Sequence, residues 1–323
     1  MNKIKYFIGP MSKNIVDAVL EYMKETKNKI GFIPSRRQIE FNGGYVNNWT
    51  TKQFSEYVDG KAIIKRDHSG PSQGYIEDDG FTSLTTDCQH FNIIHIDPWA
   101  VHPTYEDGLK WTISMICHCL DINDEIEFEI GTEESIRKFT AKELDQLVID
   151  LKEKLSESEF KQIKYLVIQS GTSLKENTNT GNYSKKRLKD MVKVAKKHKL
   201  ISKEHNGDYI TTKVINEKFK LGLESINIAP EFGLIETQTY LDNIKDKKLF
   251  DLFYQLCYDS KRWEKWVDSK FNPIENKTKL IQICGHYVFS NETFQTEIKS
   301  KLKGIDTKIK KNIKTKLDEL FSK

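Results

Sequence analysis

Ile93-Ile94-His95-Ile96-Asp97 and Ile126-Glu127-Phe128-Glu129-Ile130-Gly131 are two stretches in which an apolar residue alternates with an ionisable one. A period of two marks a β-strand, whose successive side chains point to opposite faces. With the isoleucines packed outward on helices, His95 and Asp97, and likewise Glu127 and Glu129, face the interior of whatever the strands enclose. Six further short apolar runs pace the chain, so that the full set is 6–11, 29–34, 62–67, 92–97, 126–131, 164–170, 200–205 and 225–229. Each ends in polar residues and most precede a helix-type segment, the pattern of a (β/α)8 TIM barrel with its active-site mouth at the strand ends.

The intervening segments carry helical spacing. Residues 13–26 place Ile15, Val16, Val19 and Tyr22 at core-facing intervals behind Ser12 as N-cap. Residues 141–154 put Leu144, Leu147, Val148 and Leu151 on one stripe behind the capping-box match of Thr140 with Glu143. Residues 184–199 read as a helix with a solvated basic face. Past Gly233 the pattern changes: 234–258, 263–269 and 294–321 read as helices, with no further strand. The expected organisation is a barrel over 1–233, then the last barrel helix and a helical C-terminal extension over 234–323. The lysine-rich tail after Lys299 is interleaved with Asp306, Asp318 and Glu319, which favours a solvated helix over a nucleic-acid surface.

Length fits this plan, since 323 residues accommodate one barrel of ~250 residues plus an appendage. A formal charge of +4 with 30% charged and 37% apolar residues is too mild to call for a polyanionic partner. No run of ~18 apolar residues offers a membrane span, and the opening Met1-Asn2-Lys3-Ile4-Lys5-Tyr6 lacks a secretory signature. The expectation is a cytoplasmic protein that engages neither membrane nor nucleic acid. The five cysteines are scattered and read as reduced thiols. Cys117-His118-Cys119 lies in a helical pattern where neighbours diverge by ~100°, so it is not read as a metal cluster.

The strand ends hold the chemistry. Lys65-Arg66-Asp67-His68 sets Lys65 and Asp67 on one side and delivers His68 to the rim. Two inward carboxylates at Glu127 and Glu129 are costly unless a cation or a partner such as Lys65 offsets them. Glu204-His205-Asn206-Gly207-Asp208 supplies a second rim histidine and, at Gly207, a point of close backbone approach. Two rim histidines plus a carboxylate make the inventory of a divalent-metal site with an open position. Residue types alone leave a metal-free acid/base site equally open. Arg36 or Arg37, after the second run, is placed to clamp a phosphate. No Walker-type glycine loop is present.

The motifs that these residues sit in form an ordered set: Glu40-Phe41-Asn42-Gly43-Gly44-Tyr45, Asp67-His68-Ser69-Gly70-Pro71, Ile94-His95-Ile96-Asp97, Ile130-Gly131-Thr132-Glu133, Val167-Ile168-Gln169-Ser170-Gly171, Glu204-His205-Asn206-Gly207-Asp208-Tyr209, Asn227-Ile228-Ala229-Pro230-Glu231 and Gly285-His286-Tyr287-Val288-Phe289-Ser290. In that order they resemble the non-catalytic-type subunit of class II tagatose-bisphosphate aldolase, the GatZ/KbaZ group within the class II aldolase barrels. The resemblance implies a divalent metal, zinc first, with His68 and His205 as ligands and Asp67 as general acid/base. It puts Gln169 where catalytic members carry a third metal histidine, so a carboxylate is expected to substitute, Glu129 first and Asp97 second.

Asp67, Glu129 and Lys65 are thus the expected catalytic set, and Arg36, Gln169, Glu204, Asn227, Gly207 and Asp208 the expected substrate contacts. The implied activity is aldol cleavage or condensation, or C4 epimerisation, of a phosphorylated ketose. The alternative is a non-catalytic subunit that stabilises a separate aldolase chain. Expected partners are the phosphorylated sugar, a catalytic aldolase subunit, or further copies of the chain. The chain departs from the group at Pro98-Trp99-Ala100 and matches it sparsely in its C-terminal third. The sugar is therefore left open.

Overall fold

The computed structural model describes residues 3–322. Eight parallel strands form the central sheet: β1 (Tyr6–Ile8), β2 (Ile30–Phe32), β3 (Lys65–Ser69), β4 (Ile93–Ile96), β5 (Glu127–Ile130), β6 (Ile163–Ile168), β9 (Ile201–Glu204) and β10 (Ser225–Ile228). A small hairpin, β7 (Leu174–Lys175) and β8 (Thr178–Asn179), projects after β6. The sheet runs β2-β1-β10-β9-β6-β5-β4-β3. Bridges from Phe32 to Ile64 and from Ser35 to Asp67 join its two ends, with the Asp67 N–H donating to Pro34 O at 3.0 Å. The ring so closed is a (β/α)8 barrel, and all eight expected runs are its strands.

Helices cover it: α1 (Lys13–Thr26), α2 (Thr51–Val58), α3 (Phe81–His90), α4 (Tyr105–Ile122), α5 (Ala141–Lys154), α6 (Glu157–Lys161), α7 (Lys185–Lys197), α8 (Thr212–Lys220) and α9 (Pro230–Asn243). Ser12 caps α1, and Thr140 with Glu143 forms the capping box of α5. The C-terminal part adds α10 (Lys247–Asp259), α11 (Lys277–Cys284) and α12 (Ile305–Phe321). None of the described helices is long and apolar enough to cross a membrane.

Three expected helices past Gly233 differ from the structure. Residues 234–258 are split, because the Asp246 carboxylate accepts the Lys248 N–H at 2.8 Å and starts α10 as a new helix. In 263–269 only one 3-10 turn, Glu264–Trp266, forms. The last expected helix is interrupted at Gly304, whose φ of +70° ends one path and opens α12. Helix α12 packs between α1 and α9 and buries Ile309, Ile313, Leu317 and Leu320. Its lysines meet acids of these neighbours, Lys310 with Glu21 at 2.6 Å and Lys314 with Glu25 at 2.7 Å.

The barrel interior is layered by strand parity. Phe7, Ile33, Ile93 and Tyr165 form an apolar plug with Ile4. Gly31 opposes Phe7 in the register, and a Cβ there would lie 2.4 Å from the Phe7 ring, so the plug requires the glycine. Above it Lys65 and Lys203 both meet Glu129, Lys203 at 3.1 Å. The Lys65 ammonium lies 3.8 Å from the centroid of the Tyr165 ring, and that of Lys203 lies 4.2 Å from that of Phe7. Burial pulls both ammonium pKa values down, aided for Lys65 by Lys203, and Lys203 falls to about 7. Glu127 faces inward one layer, ~6.7 Å, further from the mouth than Glu129.

Candidate active site

Consecutive strand residues face opposite sides, yet Asp67 and His68 both reach the barrel mouth. The pairing of β3 with β4 slips between Arg66 and Ser69, and His68 takes a left-handed conformation with φ of +46°. That bulge turns two neighbouring side chains to one side. The His68 N–H leaves the strand ladder and donates to His95 Nδ1 at 3.1 Å.

Three imidazoles meet here, His68, His95 and His205, with ring centroids 4.8 to 5.0 Å apart. Each has one nitrogen anchored behind it. His68 Nδ1–H donates to Asp97 Oδ2 at 2.6 Å, His205 Nε2–H to Glu129 Oε1 at 2.6 Å, and His95 Nε2–H to Gly131 O at 2.9 Å. These partners turn His68 Nε2 and His205 Nδ1 inward, the arrangement that ligating histidines use, whereas His95 Nδ1 is occupied by the His68 N–H. His68 Nε2 and His205 Nδ1 lie 3.3 Å apart, and Asp67 Oδ1 is 3.7 Å from His205 Nδ1. Two imidazoles on a tetrahedral ion with bonds of ~2.0–2.1 Å have nitrogens ~3.3–3.4 Å apart. One donor atom from each of Asp67, His68, His95 and His205 falls within 4.8 Å of the others. The donor set fits a divalent cation.

The electrostatics agree. Burial opposes a proton on His68, but Asp67, Asp97 and Glu133 outweigh it and raise its pKa to about 10, so the spot favours positive charge. Burial, with the neighbouring imidazoles, lowers His95 well below its usual value and His205 to about 3. Burial also works against ionised Asp67, and His68, His205, Lys203 and Lys65 overcome it. Asn227 Nδ2 donates to Asp67 Oδ1 at 3.1 Å and holds that carboxylate in place.

Several expected site residues take other places. Glu129 and Asp97, expected to replace a third metal histidine, stand behind His205 and His68 as their carboxylate anchors, and His95, the third imidazole of the cluster, has both nitrogens bonded, to the His68 N–H and to Gly131 O. Lys65 lies beneath this layer on Glu129, away from the cavity. Gln169 follows the end of β6, and its amide is engaged by Thr132 O, Arg137 O and the Phe139 N–H, all at 2.8 to 2.9 Å. Glu204 has even parity, so it points outward to Lys218 of α8 at 2.6 Å and to Ser170. Arg36 is buried against Glu40 at 2.6 Å and Asp78. The Gly207 N–H donates to Asn227 O at 2.9 Å, and a Cβ there would meet the Ile226 side chain at 2.6 Å, so this glycine serves packing. Asp208 borders the cavity, but its Oδ1 accepts the Ala229 and Glu231 N–H groups at the start of α9. Burial and Glu231 raise its pKa to about 8.

Asp67, His68, His205 and Asn227 open into a cavity of about 300 Å³. Its other walls include Arg37 and Gln73 from the loops after β2 and β3, Glu133 after β5, and Lys265, Trp266, His286 and Tyr287 from the C-terminal part. The appendage therefore roofs the barrel mouth. Glu133 Oε2 stands 4.0 Å from His68 Nε2 and accepts from Asn206 Nδ2 at 2.6 Å. Of the residues outside the expected set, His95 was legible from strand alternation and His286 from its motif. Lys265 carried no signal.

No family model matches the chain, and no curated protein matches it in sequence. Solved structures do. A probable tagatose 6 phosphate kinase from Sinorhizobium meliloti 1021 superposes with a TM-score of 0.73 at 13% identity, covering 99% of both chains. The fructuronate-tagaturonate epimerase UxaE from Cohnella laeviribosi gives 0.65 at 10% identity over 98% of this chain and 81% of its own. The fructose-bisphosphate aldolase of Campylobacter jejuni gives 0.57 at 13% identity over 98% and 90%. At these identities the likeness establishes the barrel fold.

Proposed function

We propose that this chain is a metal-dependent enzyme of class II aldolase type that acts on a phosphorylated ketose, by aldol cleavage and condensation or by C4 epimerisation. The observation that carries the reading is the pair His68 and His205, with anchored outer nitrogens and inner ones 3.3 Å apart beside Asp67. His68 and His205, with Asp67 beside them, would hold the cation, zinc being the first expectation for such a set. When bound, it supplies Lewis-acid stabilisation of negative charge on the ketose carbonyl oxygen.

Asp67 accepts the proton of the carbinol hydroxyl as the carbon–carbon bond breaks and returns it on bond formation. Asn227 keeps the carboxylate aimed by its 3.1 Å bond. The roof of Trp266 and Tyr287 limits water around the charged intermediate. Release of the aldehyde fragment completes cleavage; rotation and re-addition inverts the carbinol centre. The convergence of His68 and His205 on Asp67 supports chemistry on this chain over a purely stabilising role for a separate aldolase subunit.

The test is metal analysis of the purified chain with turnover of ketose mono- and bisphosphates. Wild-type protein should hold a divalent ion that His205→Ala loses. Asp67→Asn should keep the ion and lose at least ~100-fold in kcat. A chain that binds no divalent ion, or turns over equally without one, would sink the reading.

A further inference from the structure

Arg36 and Arg37 are sequence neighbours with different capacity left. Arg36 is fully engaged by Glu40, Asp78 and the Gly70 carbonyl. Arg37 borders the cavity, its Nε donates to Gly74 O at 3.0 Å, and no carboxylate pairs with its guanidinium among the described residues. Lys265, in the turn Glu264–Trp266, borders the same cavity and likewise has no ion-pair partner among the described residues. The protein around its ammonium, together with Arg37 and Arg262, lowers its pKa to about 8. Two cations sharing a small cavity repel each other, and an arriving anion relieves that repulsion.

The same cavity collects buried polar atoms that have no partner: both ring nitrogens of His286, Nε2 of Gln73 and Oδ1 of Asn227. His286 is 2% exposed, and a buried imidazole with neither nitrogen bonded is uncommon in a finished structure. Burial, with Lys265 nearby, keeps it neutral, so its ring offers one donor and one acceptor, as a sugar hydroxyl requires.

We infer that Arg37 and Lys265 form the subsite for an oxyanion at the end of the ketose chain, while Gln73 and His286 bond the oxygens between that end and the histidine trio. The inference rests on the ketose reading above and adds to it the group by which the substrate is recognised. It also gives the C-terminal appendage a role in specificity, since Lys265 and His286 both come from it.

The metal-loaded full chain is titrated with inorganic phosphate and, separately, with acetate, read by tryptophan fluorescence. Trp266 is the reporter, its ring centroid 4.4 Å from the Lys265 ammonium. The expected result is saturable quenching by phosphate that weakens at least tenfold in Arg37→Met and in Lys265→Met, since a charge-assisted hydrogen bond is worth roughly ten- to hundredfold in affinity. The kcat/KM preference for a ketose phosphate over its unphosphorylated parent should shrink by a similar factor. Lys265 lies on an exposed turn, so its variant serves if Arg37→Met fails to fold.

Tighter acetate than phosphate binding, weakened by the same variants, also supports the subsite and assigns it to a carboxylate-ended ketose. Equal phosphate binding in wild type and variants, or an undiminished preference in turnover, overturns it. Variant-sensitive phosphate binding without turnover of any ketose upholds the subsite and removes the ketose reading. Ketose turnover with no phosphate or acetate signal removes the subsite alone.

Discussion

Glu129 and Glu204 are both buried near the ends of barrel strands, and each is tied to lysine. Glu129 has odd parity and faces the interior, where it takes Lys65, Lys203 and His205. Glu204 has even parity and faces the helix layer, where it fastens α8 through Lys218 and the loop after β6 through Ser170. The same residue type near a strand end thus serves the candidate metal site in one case and the shell in the other. Which of the two it serves depends on one residue of register.

The contrast breaks if the two glutamates respond alike. Glu204→Ala should give the largest effect, about 3–5 kcal/mol of lost stability, because it strands the Lys218 ammonium without a counter-charge. In a chain of this size that corresponds to a drop in Tm on the order of 10 °C, with metal affinity unchanged by chelator competition. Glu129→Gln also removes the counter-charge of Lys65 and Lys203, and it differs in reaching the candidate metal site. It leaves His205 a neutral acceptor in place of a carboxylate, and metal affinity should fall about ten- to hundredfold. Equal loss of metal affinity in both variants would mean that the shell pair also shapes the site.

Parity explains how much was legible beforehand. All eight strands were, because alternation and apolar runs survive in the sequence, and so were the caps at Ser12 and Thr140. Glu204 was misassigned by nearness to the rim when its parity already pointed it outward. Alternation points His95 inward, but that its Nδ1 accepts the His68 N–H depends on the bulge in β3. The left-handed turn at His68 was not legible, since no single residue announces a bulge there. Lys265 was also out of reach, because nothing local says that a turn between two appendage helices will lie over the barrel mouth.

Glu236 sharpens the comparison from a third direction and carries the smallest effect. It is buried on α9, and its hydrogen bonds come from uncharged donors, Ser12 Oγ and Asn14 Nδ2 at 2.9 Å. Burial outweighs those bonds and raises its pKa from 4.5 to about 7. A carboxyl that holds its proton more tightly folded than unfolded contributes stability fully below pH 4.5 and loses it as pH climbs through about 7. Glu236→Gln keeps a neutral, hydrogen-bonding side chain at every pH, so it should gain over wild type on the order of 1 kcal/mol at pH 8 and little at pH 4.5. Urea denaturation at the two pH values measures the difference. A gain that ignores pH would mean that Glu236 titrates alike in the folded and unfolded chain, and so sits charged in the fold at pH 8 without a lysine of the kind Glu129 and Glu204 have.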